Sequence, residues 1–317
     1  MKKMITLLLA LCLVLSMAAC TSNPGQTAVD GAKAINVGYA VHNLSEEYCK
    51  TLSDSIKATI EAAGGTYNVY DAGGGASTQV NQFEDMISNG VDVIIFTPAD
   101  SSALGAVLQS AKDAGIFLIA VDSGVADEDK DLLDCTILSN NYECGVLIGQ
   151  DILARFPNEN VECMFGNVPQ VEAINTRFQG IYDTIAGHDN IVVYEKMPAN
   201  GFAGIPNDTE DILQAHPSVR IFVGLNDTAA MAMHATAISA NVDAISYGID
   251  GSPAGKQAIQ SGDLTCTIAQ SPINLGKTAA EIALNLFEGK TVDKDIAVPV
   301  IMIDASNISE FDLYSWS

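Results

Sequence analysis

Two aspartates draw attention through what surrounds them. Asp122 follows the apolar run FLIAV and leads into Ser123-Gly124, and Asp250 follows AISYGI and leads into Gly251-Ser252-Pro253. An ionised carboxylate offers only acceptors, so each can take two hydroxyl hydrogen bonds from a polyhydroxylated ligand. In a close pair with one member protonated, the same groups could serve a glycoside hydrolase as acid and nucleophile. The commoner job of Asp, Asn or Ser at such a position is to cap a helix. Asp100, before Ser101-Ser102, and Asp227, before Thr228-Ala229, are expected to do that. Asp122 opens no obvious helix, and Asp250 has a separate cap candidate, Ser252, two residues on. Both are therefore expected to face a ligand.

Other signals do not carry chemistry. Gly73-Gly74-Gly75 lacks the Lys and Ser/Thr of a phosphate loop and reads as a mobile loop. Asp127-Glu128-Asp129-Lys130-Asp131 alternates acids like a calcium loop, but Leu132 and Leu138 stand where its glycine and glutamate belong, so a solvated loop is expected. His42, His188, His216 and His234 share no paired spacing, so no metal site and no cofactor is inferred; His216, before Pro217, should end a helix. Cys49, Cys135, Cys144, Cys163 and Cys266 fit no zinc pattern and read as buried small apolar residues, with room for one bridge.

The polar residues Asn43, Asp100, Asp122, Asn226, Asp250 and Gln270 all follow short apolar runs, and these runs set the architecture. Strands are expected at 35–41, 66–70, 91–96, 117–121, 161–165, 191–194, 220–224, 244–248 and 265–269. Most are near-continuous apolar runs, as in strands covered on both faces. Between them, sets such as Leu52, Ile56 and Ile60, or Val80, Phe83 and Ile87, share one helical face. Repeated strand, helix, strand gives parallel sheets with right-handed crossovers. About nine units exceed one sheet, so the expected fold class is α/β with two doubly wound parallel-sheet lobes. In such lobes ligands bind beyond the carboxyl ends of the strands, where the polar residues above fall.

The chain begins with Lys2-Lys3, the apolar run Ile5–Leu15 and the small residues up to Cys20, which is the pattern of a secretory signal peptide over residues 1–19. The Met17-Ala18-Ala19-Cys20 sequence is similar to the bacterial lipobox, so Cys20 is the expected lipidation site and residues 20–34 a polar tether. No later apolar run reaches the length of a spanning helix. The expected location is the outer face of the cytoplasmic membrane. A formal charge of −24 makes nucleic acid an unsuitable partner, and 48% hydrophobic residues are enough for a large core.

The motifs VDVIIFTPAD, LIAVDSG, NTRFQGI, AHPSVRIFVGLND, YGIDGSP and GDLTCTIAQSP, taken in that order, span nearly the whole chain after Cys20. In this order the chain resembles the type I periplasmic sugar-binding proteins of the ribose and galactose branch, which feed ABC importers. The resemblance implies two lobes joined by a three-strand hinge and closing on one monosaccharide or polyol. It implies ligand contacts from Asp122, Arg177, Asn226, Asp250 and Gln270. Tyr48 and Phe202 are the aromatic candidates for the C–H face of the ring. Glu46 stands where the family usually has Asn, Cys49 where a second aromatic is usual, and Ser123 where Arg is frequent, so the ligand need not be ribose.

The implied partners are the ABC importer's membrane subunits and the membrane itself through the lipid anchor, with the protein a monomer. A sugar sensor docking to a chemoreceptor or histidine kinase is the alternative. A glycosidase is more remote, because Arg177 beside Asp122 and Asp250 should keep both ionised; an N-terminal signal in place of a helix-turn-helix disfavours a repressor of the lactose type. The lobes are expected at 35–137 plus 272–298 and at 138–271 plus 299–317.

Overall fold

A computed structural model describes residues 33–198 and 202–316. The leader, Cys20, most of the tether and Asn200-Gly201 lie outside these residues. The first sheet comprises β1 (Asn36–Val41), β2 (Thr66–Asp71), β3 (Val93–Phe96), β4 (Phe117–Val121), β5 (Cys135–Ser139) and β11 (Asp295–Val298), in the order β11-β5-β4-β3-β1-β2. All its pairings are parallel. The strand order reverses beside β1, which makes the sheet doubly wound and leaves a crevice at its carboxyl edge. β3 and β4 are buried almost throughout, whereas β2, at the edge, alternates between half-buried and exposed. Helices α1 (Glu47–Ala62), α2 (Ala76–Ser88), α3 (Gly105–Asp113) and α9 (Pro272–Phe287) accompany this sheet. Leu52, Ile56 and Ile60 of α1 are fully buried with Leu275 and Ala279 of α9. Phe83 and Met86 of α2 fill a second core with Leu108 of α3.

The second sheet has the order β12-β10-β9-β8-β6-β7. Its strands are β6 (Val161–Gly166), β7 (Ile191–Lys196), β8 (Val219–Val223), β9 (Ile245–Asp250), β10 (Cys266–Ala269) and the antiparallel edge strand β12 (Ile301–Asp304). Around it lie α4 (Asn141–Arg155), α5 (Glu172–Ile185), α6 (Ile205–Ala215), α7 (Asp227–Ser239) and α8 (Pro253–Ser261). Helices α4 and α5 touch backbone to backbone at Gly145 and Gly180, where a Cβ would stand 1.9 Å from the Arg177 carbonyl oxygen and 2.2 Å from that of Tyr142.

The chain changes sheet three times: after Ser139, after Ala269 and between Val298 and Ile301. Leu138 and Ser139 pair with Ala297 and Val298, so two of the crossings lie side by side. The tail then leaves the second sheet. Lys256 Nζ donates to the Ser315 carbonyl at 2.6 Å, and Trp316 packs edge-on against Tyr48, with ring centroids 5.5 Å apart.

Several local expectations are refined. The five cysteines named above are all buried and free. Asp127–Leu132 is a short 3-10 helix, and Gly73-Gly74-Gly75 is a tight turn in which Gly74 N donates to the His42 carbonyl at 2.6 Å. Ser252 caps α8 and His216 ends α6. Asp100 caps no helix: α3 starts at Gly105, and the carboxylate instead accepts from Ser102 N at 2.8 Å. Asp227 is not a cap either, because Asn226 holds that place on α7. Asp227 is buried and accepts from Ser252 N, Ser252 Oγ and Thr267 Oγ1 at 2.6 to 2.8 Å.

Candidate functional site

Asp122 sits one residue beyond β4 and Asp250 ends β9, so each carboxylate stands at the carboxyl edge of a different sheet. Both have left-handed backbone, φ 70° at Asp122 and 130° at Asp250. Such a conformation costs a side chain about 1 to 3 kcal/mol and survives only where its surroundings impose it. For Asp122 the constraint is its amide, which donates to the Ile137 carbonyl at 2.9 Å. For Asp250 it is a double tie to Gln270, through Gln270 N to the Asp250 carbonyl at 3.0 Å and Gln270 Nε2 to Asp250 Oδ1 at 2.9 Å.

Arg177 comes from the buried face of α5. Its Nε donates to Asn141 Oδ1 at 2.8 Å and its Nη1 to the Leu225 carbonyl at 3.0 Å, so the guanidinium is held in place before any ligand reaches it. Asn226 follows β8; its Oδ1 accepts from Ala229 N at 3.0 Å while the residue lines the cavity.

The structure brings together all nine residues singled out as ligand contacts. Glu46, Tyr48, Asp122, Ser123, Arg177, Phe202, Asn226, Asp250 and Gln270 line one cavity of about 430 Å³ between the sheets. Tyr48 is buried against Trp316 and Phe202 is half-buried against the second lobe's core. Ser123 differs from the rest, because its hydroxyl is already engaged by the Ala173 amide at 3.3 Å across the cleft. Among the described residues, three buried polar atoms of the lining make no close hydrogen bond within the protein: Asp122 Oδ1, Gln270 Oε1 and the Tyr48 hydroxyl, which is directed at the Asp122 carboxyl. Orphans of this kind are costly unless a ligand satisfies them.

The charges are not neutralised as the sequence suggested. Burial pushes the Asp122 carboxyl up against the opposing pull of Arg177. Burial and the neighbouring Asp227 raise Asp250 well above the carboxylate range, again against Arg177. One guanidinium does not offset the desolvation of two acids. On the first-lobe wall, burial lowers the His42 imidazole, and Glu46 with Asp122 and Asp71 together more than reverse this, with His42 Nε2 3.4 Å from Glu46 Oε1. Cys49 Sγ is 3.7 Å from the same ring, and burial pushes its thiol well up. Among the described residues these three are the ones close enough together to hold a metal ion, with ligand atoms within 4.8 Å. A neutral thiol and an imidazole already paired to Glu46 account for the trio as polar wall.

Sequence reasoning gave His42 no role at the site and read Cys49 as a buried apolar residue, and it missed Trp316 and a second cross-cleft serine, Ser101, whose Oγ accepts from Glu172 N at 3.1 Å. Residues 37–291 match the periplasmic binding protein domain. The chain belongs to this family. Among curated relatives of this binding protein, the ribose import binding protein of Bacillus subtilis (strain 168) is 27% identical over 304 residues, covering 95% of this chain and 98% of the relative. The D-xylose-binding periplasmic protein of Escherichia coli (strain K12) is 29% identical over 287 residues, covering 87% and 85%. Among solved structures, an ABC transporter solute-binding protein from Mycobacterium smegmatis with bound glycerol superposes with TM-score 0.83 at 23% identity, over 90% of this chain and 100% of that one. One from Bacillus halodurans C-125 with bound myo-inositol gives 0.81 at 24%, over 89% and 98%. The two parallel-dominated lobes are those of a type I periplasmic binding protein. No helix among the described residues is long and apolar enough to cross a membrane.

Proposed function

We propose that this periplasmic binding protein captures a monosaccharide or polyol between its lobes and delivers it, chemically unchanged, to the membrane subunits of an ABC importer. The observation that carries this reading is the convergence of Asp122, Arg177, Asp250 and Gln270, from both lobes, on one cavity that contains orphaned polar atoms. Carboxylates accept from ligand hydroxyls and the guanidinium donates to ligand oxygens, while Tyr48 and Phe202 cover apolar ring faces. The three crossings act as the hinge. The lipobox-like sequence supports processing to an acylated Cys20, and the anchored protein acts as a monomer. Two acyl chains on Cys20 suffice for stable anchoring.

A thermal-shift screen of pentoses, hexoses and polyols tests the reading. A ligand at 100 times its Kd stabilises by about 2.7 kcal/mol. A screen in which no sugar or polyol raises the melting temperature overturns it, as does chemical conversion of the ligand. Mass spectrometry of the native N-terminus tests the anchor, and an unmodified first residue other than Cys20 refutes it.

A further inference from the structure

The cavity holds more acid than base. Glu46 and Asp122 face it from the first lobe and Asp250 from the second, while among the described residues Arg177 is the one fixed cation of the lining. His42 is the other group that can carry a positive charge there, and it is paired with Glu46. Were all three carboxyls ionised, they would outnumber the cations by one with His42 protonated and by two with it neutral, and burial opposes that full ionisation.

The hydrogen-bonding capacity is lopsided as well. Among the described residues, Gln270 Oε1, on a residue 2% exposed, is a pure acceptor without a partner, and the Asp122 carboxyl has the Tyr48 hydroxyl as its one hydrogen-bond donor. Arg177 spends its Nε and Nη1 on Asn141 and Leu225, which reduces what it can donate to a ligand. An acceptor-rich, acid-rich cleft is best matched by a ligand that brings donors and a positive charge. An ammonium supplies three donors and no acceptor.

We propose that the natural ligand is an amino-substituted monosaccharide or cyclitol, bound with its amine protonated. The inference rests on the sugar-binding reading above and narrows it to one chemical class. Raised carboxyls at Asp122 and Asp250 agree with it, because a bound ammonium supplies the counter-charge that burial leaves short.

Calorimetry on the purified protein tests this with matched sets: glucosamine, galactosamine and mannosamine against their parent hexoses and their N-acetyl forms, and aminocyclitols against inositols. In the best-fitting set the amine is expected to bind at least tenfold tighter than its hydroxyl parent, about 1.4 kcal/mol, and the N-acetyl form to lose that gain. Glu46→Gln should narrow the amine-to-parent ratio several-fold, a readout that loss of folding would not mimic because both ligands are compared on one variant. Parents binding as well as or better than amines throughout would overturn the amine proposal and leave sugar binding intact. Binding of no member of any set would overturn both.

Discussion

Ser123 Oγ lies 3.3 Å from the Ala173 amide nitrogen on the opposite side of the cleft, and Ser101 Oγ lies 3.1 Å from that of Glu172. Helix α5 starts after Val171, which has no side chain able to cap it. Two hydroxyls of the first lobe therefore satisfy two first-turn amides of a second-lobe helix. That helix carries Arg177, so meeting of the lobes and ordering of a candidate ligand group are physically linked.

Ser101→Ala should favour the open form. The hydroxyl accepts from Glu172 N and also donates to the Gly124 carbonyl at 2.8 Å, and neither bond lies in the ligand cavity. Loss of a cap costs about 1 kcal/mol, which corresponds to roughly fivefold weaker binding through the open-to-closed equilibrium. Small-angle scattering at subsaturating ligand should show a larger radius of gyration than the parent, with a few-fold rise in Kd. Unchanged values in both would show that the serine contributes nothing to closure.

Asp250 is the carboxylate whose loss should hurt binding most. Asp250→Ala leaves Gln270 Nε2 without its acceptor and removes a carboxyl whose ionised form Arg177 favours. Hydrogen bonds to charged groups are worth about 1.5 to 3 kcal/mol, so a loss of ten- to hundredfold or more in affinity is expected by calorimetry. Asp250→Asn should lose less, because the amide oxygen still accepts. Equal affinities in Asp250→Ala and parent would remove Asp250 from the site.

The parts of this molecule legible in the sequence are those governed by local rules. Apolar runs such as FLIAV and VDVIIF marked β4 and β3 because strands buried on both faces tolerate little else. Asp122 and Asp250 stood out because neither had a helix to cap, and both hold the left-handed backbone found at constrained sites. What the sequence hid depends on distant partners. Asp227 looks like a cap until Ser252 and Thr267, 25 and 40 residues away, take its oxygens. Trp316 meets Tyr48 only because the tail returns past α8. Val171, an unsuitable cap residue, was the one local hint that α5 is capped from elsewhere.

Gly180→Ala tests the positioning of Arg177 without touching the cavity. The new Cβ would stand 2.2 Å from the Tyr142 carbonyl oxygen, a backbone atom that cannot rotate away, so α4 and α5 must separate. Overpacking of this kind typically costs about 1 to 3 kcal/mol. A fall of several degrees in Tm is expected, together with weaker ligand binding as Arg177 shifts from Asn141. A variant with parental Tm and affinity would show that the helix contact is not as tight as the geometry indicates.

The buried acids give stability a definite pH dependence. Burial holds the Asp250 carboxyl well above its ordinary value, and Asp227 adds to the rise. The folded protein thus keeps a proton that the unfolded chain releases near the ordinary Asp value of about 3.9. In that interval the folded state binds more protons, so stability falls as pH rises, by up to about 1.4 kcal/mol per pH unit for each such group. The full penalty applies above the folded pKa, and none applies below the unfolded one. Asp250→Asn removes the Asp250 contribution and relieves Asp227 of a like charge. The difference in stability, variant minus parent, should therefore grow from acid toward neutral pH, measured by thermal or urea unfolding at intervals from about pH 4 to 7. A difference that stays flat or shrinks across that range would mean that Asp250 is not held protonated by its surroundings, and that the acid excess in the cleft is offset within the protein itself.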